Sequence, residues 1–405
     1  MNERQLPHTA SIPRASFLAR LAAAASLPGA VLAHREPATA ADPNGRRRSF
    51  ERWVLDYQLT PNDLCRYYRY GPHANQESPL ATAYAILLLN ESHPDVADRL
   101  IGGLGRLQHA HASNRYVGGG VPSIANDSAP LFYSSDALAA TKAIMEAYKL
   151  RPDPARLRIA SGFVEFVKRM VDGERVGMLV DNLDFPMQYV TPNGQYQNLL
   201  VPNVAMLFWD ALHDFAQATG DAEVAKLFER GQAFLPRAQA ANGAYYDHYD
   251  PGYPPRGYSS QRWRWYNIEP DGRKIGIGDN MIMSALGAQR MGQKSAVDAF
   301  LRWAKPKNGA FYAYIDVDTG GSGFRAGSEP YYDVVCSGMY YALLVAAERL
   351  DSETRRSLER VFTLAAAPDG GYRWGIQVDG GAVQDSAEAL VTGYWIALTS
   401  GANRS

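Results

Sequence analysis

The sequence predicts an all-α fold, an (α/α)6 toroid in which helical hairpins close into a ring with short β-hairpins and long loops on one rim. Apolar residues recur at helical spacing along the whole chain, and the helical segments fall into consecutive pairs. A glycine-led aromatic phrase also recurs about every 60 residues, after the second helix of a pair. That period is too long for a solenoid of two short helices per repeat, so a closed ring is favoured over an open solenoid.

The predicted helices pair in sequence order. The pairs are 79–91 with 94–110, 135–150 with 154–171, 198–219 with 221–241, 278–291 with 294–304, and 333–350 with 352–366. Their start signals include Asp153, a capping carboxylate directly before Pro154 at the first helical position. The last helix, 384–399, has no following partner, and the segment 48–59 can supply one. Closing the ring in this way makes six pairs.

The recurring phrase follows the second helix of five pairs. Its copies are Gly118–Val121, Gly177–Leu179, Asn242–Tyr246, Asn308–Tyr312 and Gly370–Trp374. A glycine followed by alternating aromatic residues is typical of a short strand or hairpin. In a toroid the inner helices begin at that rim, so we expect these loops to line the central cleft.

The first 33 residues have the features of an export signal. Their arginines are Arg4, Arg14 and Arg20. A short apolar run at 21–32 follows, and it ends in small residues where a signal peptidase cuts. The stretch 14–18 resembles a twin-arginine signal that lacks its second arginine. We therefore expect residues 1–33 to be removed and the protein to be periplasmic or secreted.

Composition and charge narrow the class of protein. With 46 % hydrophobic and 20 % charged residues the chain can bury a large core. We expect a linker at 34–48 and one toroid catalytic domain at 49–405. The net charge of −1 argues against general binding to nucleic acid or to an anionic membrane, and no apolar stretch is long enough to span a membrane. The sequence leaves the oligomeric state open.

Motifs for cofactors, metals and nucleophilic triads are missing from the sequence. Gly276–Gly278 is too short for a nucleotide fingerprint, and no Gly-x-Ser-x-Gly elbow occurs. His109 and His111 have no carboxylate or cysteine partner at metal spacing. We expect neither a cofactor nor a metal. Two cysteines, Cys65 and Cys336, cannot make a disulfide scaffold.

Tyrosine exceeds phenylalanine by 24 to 14, and many of these rings lie beside polar residues in the rim loops. Aromatic rings with a polar tip are typical of a wet cleft. The candidate substrate-binding residues in these loops are Tyr189, Gln195, Tyr196, Asn198, Asp279, Tyr312, Tyr314, Arg325, Tyr332, Asp333, Trp374 and Asp385. Four aspartates stand where a helix N-cap belongs, so capping is the alternative for Asp136, Asp279, Asp333 and Asp385. Asp184 and Glu329 lie in loops away from such caps, which favours a catalytic role for them.

The segment 251–275 is a long loop rich in cations and aromatic rings. Loops of this length in compact domains are typically functional lids or disordered. Its candidate binding residues are Arg262, Trp263, Arg264 and Trp265, since arginine forks onto a carboxylate and aromatic faces stack on sugar rings. Single-stranded nucleic acid would use the same residue types, but the net charge and the export signal count against it. An anionic, ring-shaped ligand is favoured, with a solvated basic loop as the alternative.

Residues 196–249 carry a resemblance to a known family. The motifs, in order, are Tyr196–Leu200, Leu207–Asp210, Ala218–Asp221, Leu227–Gly231 and Gly243–Asp247. This order is similar to the C-terminal helical domain of D-glucuronyl C5-epimerases, where a Gly-x-x-Tyr-Tyr-Asp hairpin follows two helices. The chain departs from that family at 184–189, which lacks the Tyr-Glu-Glu-Tyr-Pro loop. The helical pairs more loosely resemble α/α-toroid polysaccharide lyases and glycoside hydrolases, so the resemblance implies a carbohydrate-active toroid rather than one reaction.

Three functions are compatible with these residues. The first is C5 proton abstraction from an anionic, uronic-acid-containing polysaccharide, by a lyase or an epimerase. Tyr246, His248 and Tyr249 would transfer protons, and Arg262 and Arg264 would bind the carboxylate. The second is glycoside hydrolysis by two carboxylates from the set Asp184, Asp279, Glu329, Asp333 and Asp385. The third is a non-catalytic glycan-binding toroid, or a toroid enzyme for an apolar, terpenoid-like substrate.

Overall fold

The computed structural model describes residues 43–70, 73–172, 185–196, 200–250, 262–306, 310–324, 331–377 and 388–399. The α-helices of these segments, in chain order, are α1 (Pro43–Tyr57), α2 (Pro79–Leu89), α3 (Pro94–Ala110), α4 (Ser134–Leu150), α5 (Pro154–Met170), α6 (Val204–Leu207), α7 (Asp210–Thr219), α8 (Ala222–Phe234), α9 (Gly278–Arg290), α10 (Lys294–Trp303), α11 (Val334–Ala346), α12 (Ser352–Ala365) and α13 (Leu390–Thr399). None of them is both long and apolar enough to cross a membrane.

The helices form two concentric rings, which confirms the predicted all-α toroid. The inner ring runs α2, α4, α6 continued by α7, α9, α11 and α13, and α13 packs back on α2. The outer helices α3, α5, α8, α10 and α12 pack on their neighbours in sequence, and α1 packs on α13 and closes the sixth pair. The inner helices α2 and α13 are buried on nearly every side, as a helix must be when it is apolar all round.

Several helix boundaries differ from the sequence prediction: helices 221–241 and 333–350 end earlier, at Phe234 and Ala346, and two further differences change how the ring is organised. The predicted helix 198–219 is interrupted between α6 and α7, where the Trp209 ring packs so closely on Gly231 that a Cβ there would lie 2.2 Å from the ring. The Trp209 indole N–H also donates to the Phe228 carbonyl oxygen at 3.0 Å. Helix α1 begins at Pro43, inside the segment 34–48 that the sequence predicts as a linker. The predicted export signal, residues 1–33, lies outside the described residues.

The glycine of the recurring phrase has the same structural role wherever the phrase is described. Its backbone φ is positive at Gly119 (82°), Gly243 (102°) and Gly370 (102°). A Cβ on Gly243 would lie 2.4 Å from the carbonyl oxygen of Ala299 in α10. Gly119 likewise lies close to the backbone of Gly162 in α5, and Gly370 to that of Ser49 in α1. The phrase therefore repeats because each tight turn docks on the backbone of an outer helix, where only glycine fits.

Short antiparallel strands precede the inner helices and form the rim. The strands are β1 (Phe132–Tyr133), β2 (Tyr189–Val190), β3 (His248–Asp250), β4 (Arg262–Arg264), β5 (Asn267–Ile268), β6 (Lys274–Ile277), β7 (Tyr314–Asp316), β8 (Tyr331–Asp333) and β9 (Gly375–Gln377). Strand β1 pairs with β2, β3 with β4, and β8 with β9, while β5, β6 and β7 form one sheet. The described part of the predicted loop 251–275 thus contributes three strands. Strands β1, β6 and β8 lead directly into α4, α9 and α11, so the rim loops hold the starts of inner helices.

A network of charged side chains links α4, α7 and α9 toward the end of the barrel away from the rim. The Lys142 ammonium lies 2.7 Å from Asp210, 2.8 Å from Asp214 and 2.9 Å from Glu146. Burial lowers the pKa of Lys142, but these three carboxylates outweigh it and hold the pKa above its usual value. Arg290 joins the network at 4.0 Å from Asp210 Oδ1, and it also donates to the Leu207 carbonyl oxygen at 3.0 Å. A charged, hydrogen-bonded lysine therefore ties inner helices together behind the cleft.

Candidate active site

The starts of α9 and α11 are held together by one segment of backbone. The Gly278 N–H donates to the Ala313 carbonyl oxygen at 2.9 Å, and the Asp333 N–H donates to the Phe311 carbonyl oxygen at 2.9 Å. A Cβ on Gly278 would lie 3.6 Å from the Cys336 sulfur in the first turn of α11. The two helix starts are therefore in contact, and the acidic residues at these starts are neighbours.

Each helix start carries one carboxylate, held by a backbone N–H. Asp279 lies in the first turn of α9, and its Oδ1 accepts from the Asn280 N–H at 2.8 Å. Asp333 is the N-cap of α11, and its Oδ1 accepts from the Cys336 N–H at 3.0 Å. The capping alternative is thus confirmed for Asp333, whereas Asp279 and Asp136 stand inside the first turn of their helices. Asp333 is only 8 % exposed, while Asp279 is partly exposed.

Both carboxyl groups of this pair bind protons more tightly than usual. Burial raises the pKa of Asp279 to about 7, and the charges of Asp333 and Asp247 add to the rise. Burial raises the pKa of Asp333 to about 6, although the hydrogen bonds from the first turn of α11 oppose the shift. Between these two values Asp279 is largely protonated and Asp333 largely ionised. The pair therefore offers a neutral acid beside a carboxylate.

A buried aspartate and a histidine adjoin the pair. Asp247 is 4 % exposed, and its Oδ1 accepts from the Asn280 Nδ2 at 2.6 Å. Its Oδ2 lies 2.9 Å from Nδ1 of His248. Because an ionised carboxylate can only accept, a neutral imidazole in this contact has its proton on Nδ1 and presents Nε2 as an acceptor. This arrangement is able to bind a hydroxyl group or to take up a proton.

Aromatic rings form a wall beside the carboxylate pair. Tyr314 stacks on Tyr266 at a centroid distance of 6.0 Å, and Phe324 lies 5.7 Å from Tyr314 and 5.2 Å from Tyr331. Trp374 extends the wall at 5.5 Å from Tyr331. Burial, with the charges of neighbouring groups that include both aspartates, raises the pKa of Tyr314 to about 12 and that of Tyr331 further. Both phenols therefore stay protonated and able to donate.

The hairpin of β3 and β4 divides the proton-transfer candidates between its two faces. His248 lies opposite Arg264, and Tyr249 lies opposite Trp263. Neighbouring residues of a strand point to opposite faces, and the Tyr249 ring packs in the core on Trp263 at 5.0 Å and on Phe234 at 5.9 Å. His248 and Arg264 therefore share the other face, while Tyr249 is a packing residue of the hydrophobic core.

The remaining aromatic candidates of the hairpin and rim pack on one another. Tyr246 lies against Trp265 at a centroid distance of 4.2 Å. Tyr312 and Tyr332 face each other at 5.6 Å, and both are buried beneath the aromatic wall. Tyr189 packs on Tyr133 at 5.2 Å.

The other predicted site residues lie further along the rim or outside the described residues. Tyr196 forms a bridge to Val190, and Gln195 is exposed in the turn between them. Strand β4 includes Arg262. The candidates outside the described residues are Asp184, Asn198, Arg325, Glu329 and Asp385. Within the described segments no group of three or more His, Cys, Asp or Glu is placed to hold a metal, and both cysteines are buried free thiols.

Sequence reasoning missed Asp247 and Asn280, which connect His248 to the carboxylate pair. Asp247 is the last residue of the phrase that begins at Gly243, and Asn280 directly follows Asp279. The available signal in the sequence was that each of them is a polar residue directly beside a candidate: Asp247 precedes His248, and Asn280 follows Asp279. Their contact joins positions 33 residues apart and depends on how α9 packs against the hairpin.

Comparison with known proteins finds similar folds but no similar sequence. No known family matches the sequence, and no curated protein matches it. The solved structures that it resembles include an unsaturated glucuronyl hydrolase from a Bacillus species, with 13 % identity over 90 % of this chain and 96 % of that one and a TM-score of 0.60. A sugar epimerase from a ruminal bacterium shows 10 % identity over 90 % and 99 % of the two chains, with a TM-score of 0.63. An α-1,6-mannanase from a Salegentibacter species shows 14 % identity over 89 % and 98 %, with a TM-score of 0.56.

The chain has an α/α-toroid fold. At identities this low the likeness shows the fold alone, and the same architecture serves a hydrolase, an epimerase and a mannanase. The more specific resemblance to D-glucuronyl C5-epimerases stays a prediction. The reaction has to be argued from the side chains of the cleft.

Proposed function

We propose that the protein is a carbohydrate-active enzyme that hydrolyses a glycosidic bond, with Asp279 as the general acid and Asp333 as its partner carboxylate. The observation that carries the proposal is the pair of carboxyl groups at the adjoining starts of α9 and α11, with raised pKa values of about 7 and about 6. Glycoside hydrolysis requires one protonated and one ionised carboxyl group at the same pH. Burial raises the pKa of both groups, and the charge of Asp333 raises that of Asp279 further.

The exposure of the two groups assigns their roles. Asp279 is partly exposed and has the higher pKa, so it is placed to protonate the leaving oxygen of the substrate. Asp333 is the more buried and ionises first, so it stabilises the developing positive charge on the sugar or activates the attacking group. The protonated phenols of Tyr314 and Tyr331 supply donors for sugar hydroxyls, and their rings supply a stacking surface.

The proposed substrate is an oligo- or polysaccharide, and an anionic one is favoured by the hairpin. Arg264 lies opposite His248 on the face of the hairpin away from the core. A guanidinium there can pair with a uronate carboxylate. Two of the similar structures, the unsaturated glucuronyl hydrolase and the α-1,6-mannanase, are hydrolases of carbohydrates by name. Export to the periplasm or the medium, through residues 1–33, belongs to the same proposal.

A second candidate is proton transfer at a carbon of a uronic acid, which gives elimination or epimerisation. The observation that favours it is the pairing of Asp247 with His248, which leaves Nε2 as a base. Arg264 would neutralise the sugar carboxylate and so stabilise the enolate-like charge that forms. The Bacillus hydrolase and the ruminal epimerase resemble this chain to a similar degree, so the fold does not choose between the two candidates.

Product analysis distinguishes the candidates. The full chain is incubated with uronate-containing and neutral oligosaccharides, and three products are measured. Hydrolysis releases reducing ends, elimination creates an unsaturated uronate that absorbs in the near ultraviolet, and epimerisation in deuterium oxide incorporates deuterium at carbon. The proposal predicts new reducing ends without near-ultraviolet absorbance and without deuterium at carbon.

Variants identify the residues responsible. Asp279→Asn is expected to lower kcat by about 10²–10⁴-fold, the usual contribution of a general acid. The matched control is Asp318→Asn, because Asp318 is an exposed rim carboxylate that pairs with Lys274 at 3.1 Å. Near-wild-type activity in Asp279→Asn would overturn the proposal. Deuterium incorporation or an unsaturated product that depends on His248 would establish the second candidate instead.

A further inference from the structure

A chain of hydrogen-bonded polar side chains runs from the start of α6 to the surface of the cleft. Its members are Asn203, Asn280, Asp247 and His248. The first three are buried, with exposed fractions of 8 %, 6 % and 4 %, and His248 is partly exposed. Buried polar side chains are costly unless they are paired, so a continuous chain of them calls for a physical reason.

Each hydrogen bond of this chain has a fixed direction. The Ala205 N–H donates to Oδ1 of Asn203 at 3.4 Å, which leaves the Asn203 Nδ2 to donate to Oδ1 of Asn280 at 3.4 Å. The Asn280 Nδ2 must then donate to Oδ1 of Asp247, and it does so at 2.6 Å. The remaining oxygen, Oδ2 of Asp247, faces Nδ1 of His248 at 2.9 Å. Since a backbone N–H can only donate, the start of α6 sets the direction of every later bond.

The same chain is joined to the proposed general acid. Asn280 holds Oδ1 of Asp279 with its backbone N–H at 2.8 Å, while its side chain holds Asp247. One residue at the start of α9 therefore sets the positions of the acid and of the aspartate beneath His248.

We propose that Asn203, Asn280 and Asp247 are positioning residues that fix His248 in the tautomer with the proton on Nδ1, so that Nε2 accepts a hydrogen bond from a sugar hydroxyl beside Asp279. The sugar-binding role rests on the proposed function, whereas the tautomer does not. A hydroxyl group is the matching ligand because it can donate, which an ether oxygen or a carboxylate cannot do. The chain thus makes one side of the cleft specific for a free hydroxyl at that position of the substrate.

The direction of the chain predicts an unusual effect of Asp247→Asn. The Asn280 Nδ2 still demands an acceptor, so the new amide must turn its oxygen toward Asn280 and its Nδ2 toward His248. An amide Nδ2 is a donor, and it therefore forces the proton of His248 from Nδ1 to Nε2. Asn280→Ala leaves the Asp247 carboxylate under the ring, so in that variant the proton stays on Nδ1.

Nitrogen-15 NMR of the full chain, labelled at histidine and assigned with His248→Gln, reads the tautomer directly. The proposal predicts the Nδ1–H tautomer in the wild type and in Asn280→Ala, and the Nε2–H tautomer in Asp247→Asn. The matched control is Asp316→Asn, because Asp316 is 7 % exposed and its Oδ1 accepts from two backbone N–H groups of its own turn, away from His248. An Nε2–H tautomer in the wild type, or no change in Asp247→Asn, would overturn the proposal. The wild-type spectrum decides the matter even where Asp247→Asn fails to fold.

Kinetics tests the binding role separately. His248→Ala is expected to raise KM about tenfold with little change in kcat, because a hydrogen bond made equally in the ground state and the transition state is lost. Asp247→Asn should do the same, whereas Asp316→Asn should leave both constants unchanged. An unaltered KM in His248→Ala would overturn the binding role. If NMR shows the predicted tautomers but the protein releases reducing ends from no substrate, the proposed function is refuted. The positioning of His248 by the hydrogen-bonded side chains would still hold.

Discussion

The glycine of the recurring phrase offers a quantitative test of why the phrase repeats. In Gly243→Ala the new side chain meets two costs. A φ of 102° is a conformation that L-residues avoid, at a cost of about 1–3 kcal/mol. The added Cβ would also lie 2.4 Å from the Ala299 carbonyl oxygen, and moving one backbone away from the other costs about 1–3 kcal/mol more. We expect the free energy of unfolding to fall by about 2–6 kcal/mol.

Gly220→Ala is the matched control, because Gly220 also has a positive φ, 73°, but nothing lies within 4 Å of its missing Cβ. It should lose only about 1 kcal/mol. Urea unfolding of both variants, followed by circular dichroism, gives the two free energies. A loss in Gly243→Ala that exceeds the control by about 2 kcal/mol or more identifies contact with the outer helix as the reason for the glycine. Equal losses in the two variants would refute the reasoning and leave backbone conformation as the sole cause.

Three further predictions concern the charge network, the acid pair and the aromatic wall. Lys142→Met removes the ammonium that Asp210 and Asp214 share, and leaves Asp214 with Lys149 and Asp210 with Arg290 as the remaining cations. Urea unfolding should therefore show a fall of about 2–4 kcal/mol in the free energy of unfolding, and adding Asp214→Asn should partly restore it. Asp279 has a folded pKa of about 7 against an unfolded value of 3.8, so the folded state holds an extra proton and loses stability as pH rises through this window. Asp279→Asn should therefore be more stable than the wild type at pH 8, by about 2–4 kcal/mol, and the difference should shrink by pH 4; parallel curves would contradict the shift. Tyr314→Phe keeps the ring and loses the hydroxyl, so kcat/KM should fall about tenfold, and Tyr314→Ala should cost clearly more; equal losses would exclude stacking.

Much of the ring could be predicted from local sequence because helix starts and apolar spacing are local properties. Helix Pro94–Ala110 has the predicted bounds, and Pro154 begins its helix after the Asp153 cap as expected. The interruption at Trp209 could not be predicted in this way. The interruption depends on the contact between Trp209 and Gly231 in the next helix. The spacing of apolar residues within one helix carries no information about such a contact.

The candidate site was predictable as a set of residues but not as an arrangement. Asp279 and Asp333 were among the candidate carboxylates, yet their proximity depends on both helix starts bonding to the backbone at 311–313. The opposite orientations of His248 and Tyr249 follow from strand alternation once β3 is known, and the burial of the Tyr249 ring decides which face meets the core. Asp247 was missed because its partner lies 33 residues away, at the start of α9.

The pH dependence of kcat/KM for the full chain, on the oligosaccharide that it cleaves, tests the central claim most directly. A general acid with a pKa of about 7 predicts a rate that falls as pH rises through 7, because Asp279 loses the proton that the leaving oxygen needs. Asp316→Asn, in which a buried aspartate outside the site is changed, should show the same profile. A rate that instead rises through pH 7 and stays high would show that a deprotonated base limits the reaction. That result would contradict hydrolysis by the carboxylate pair.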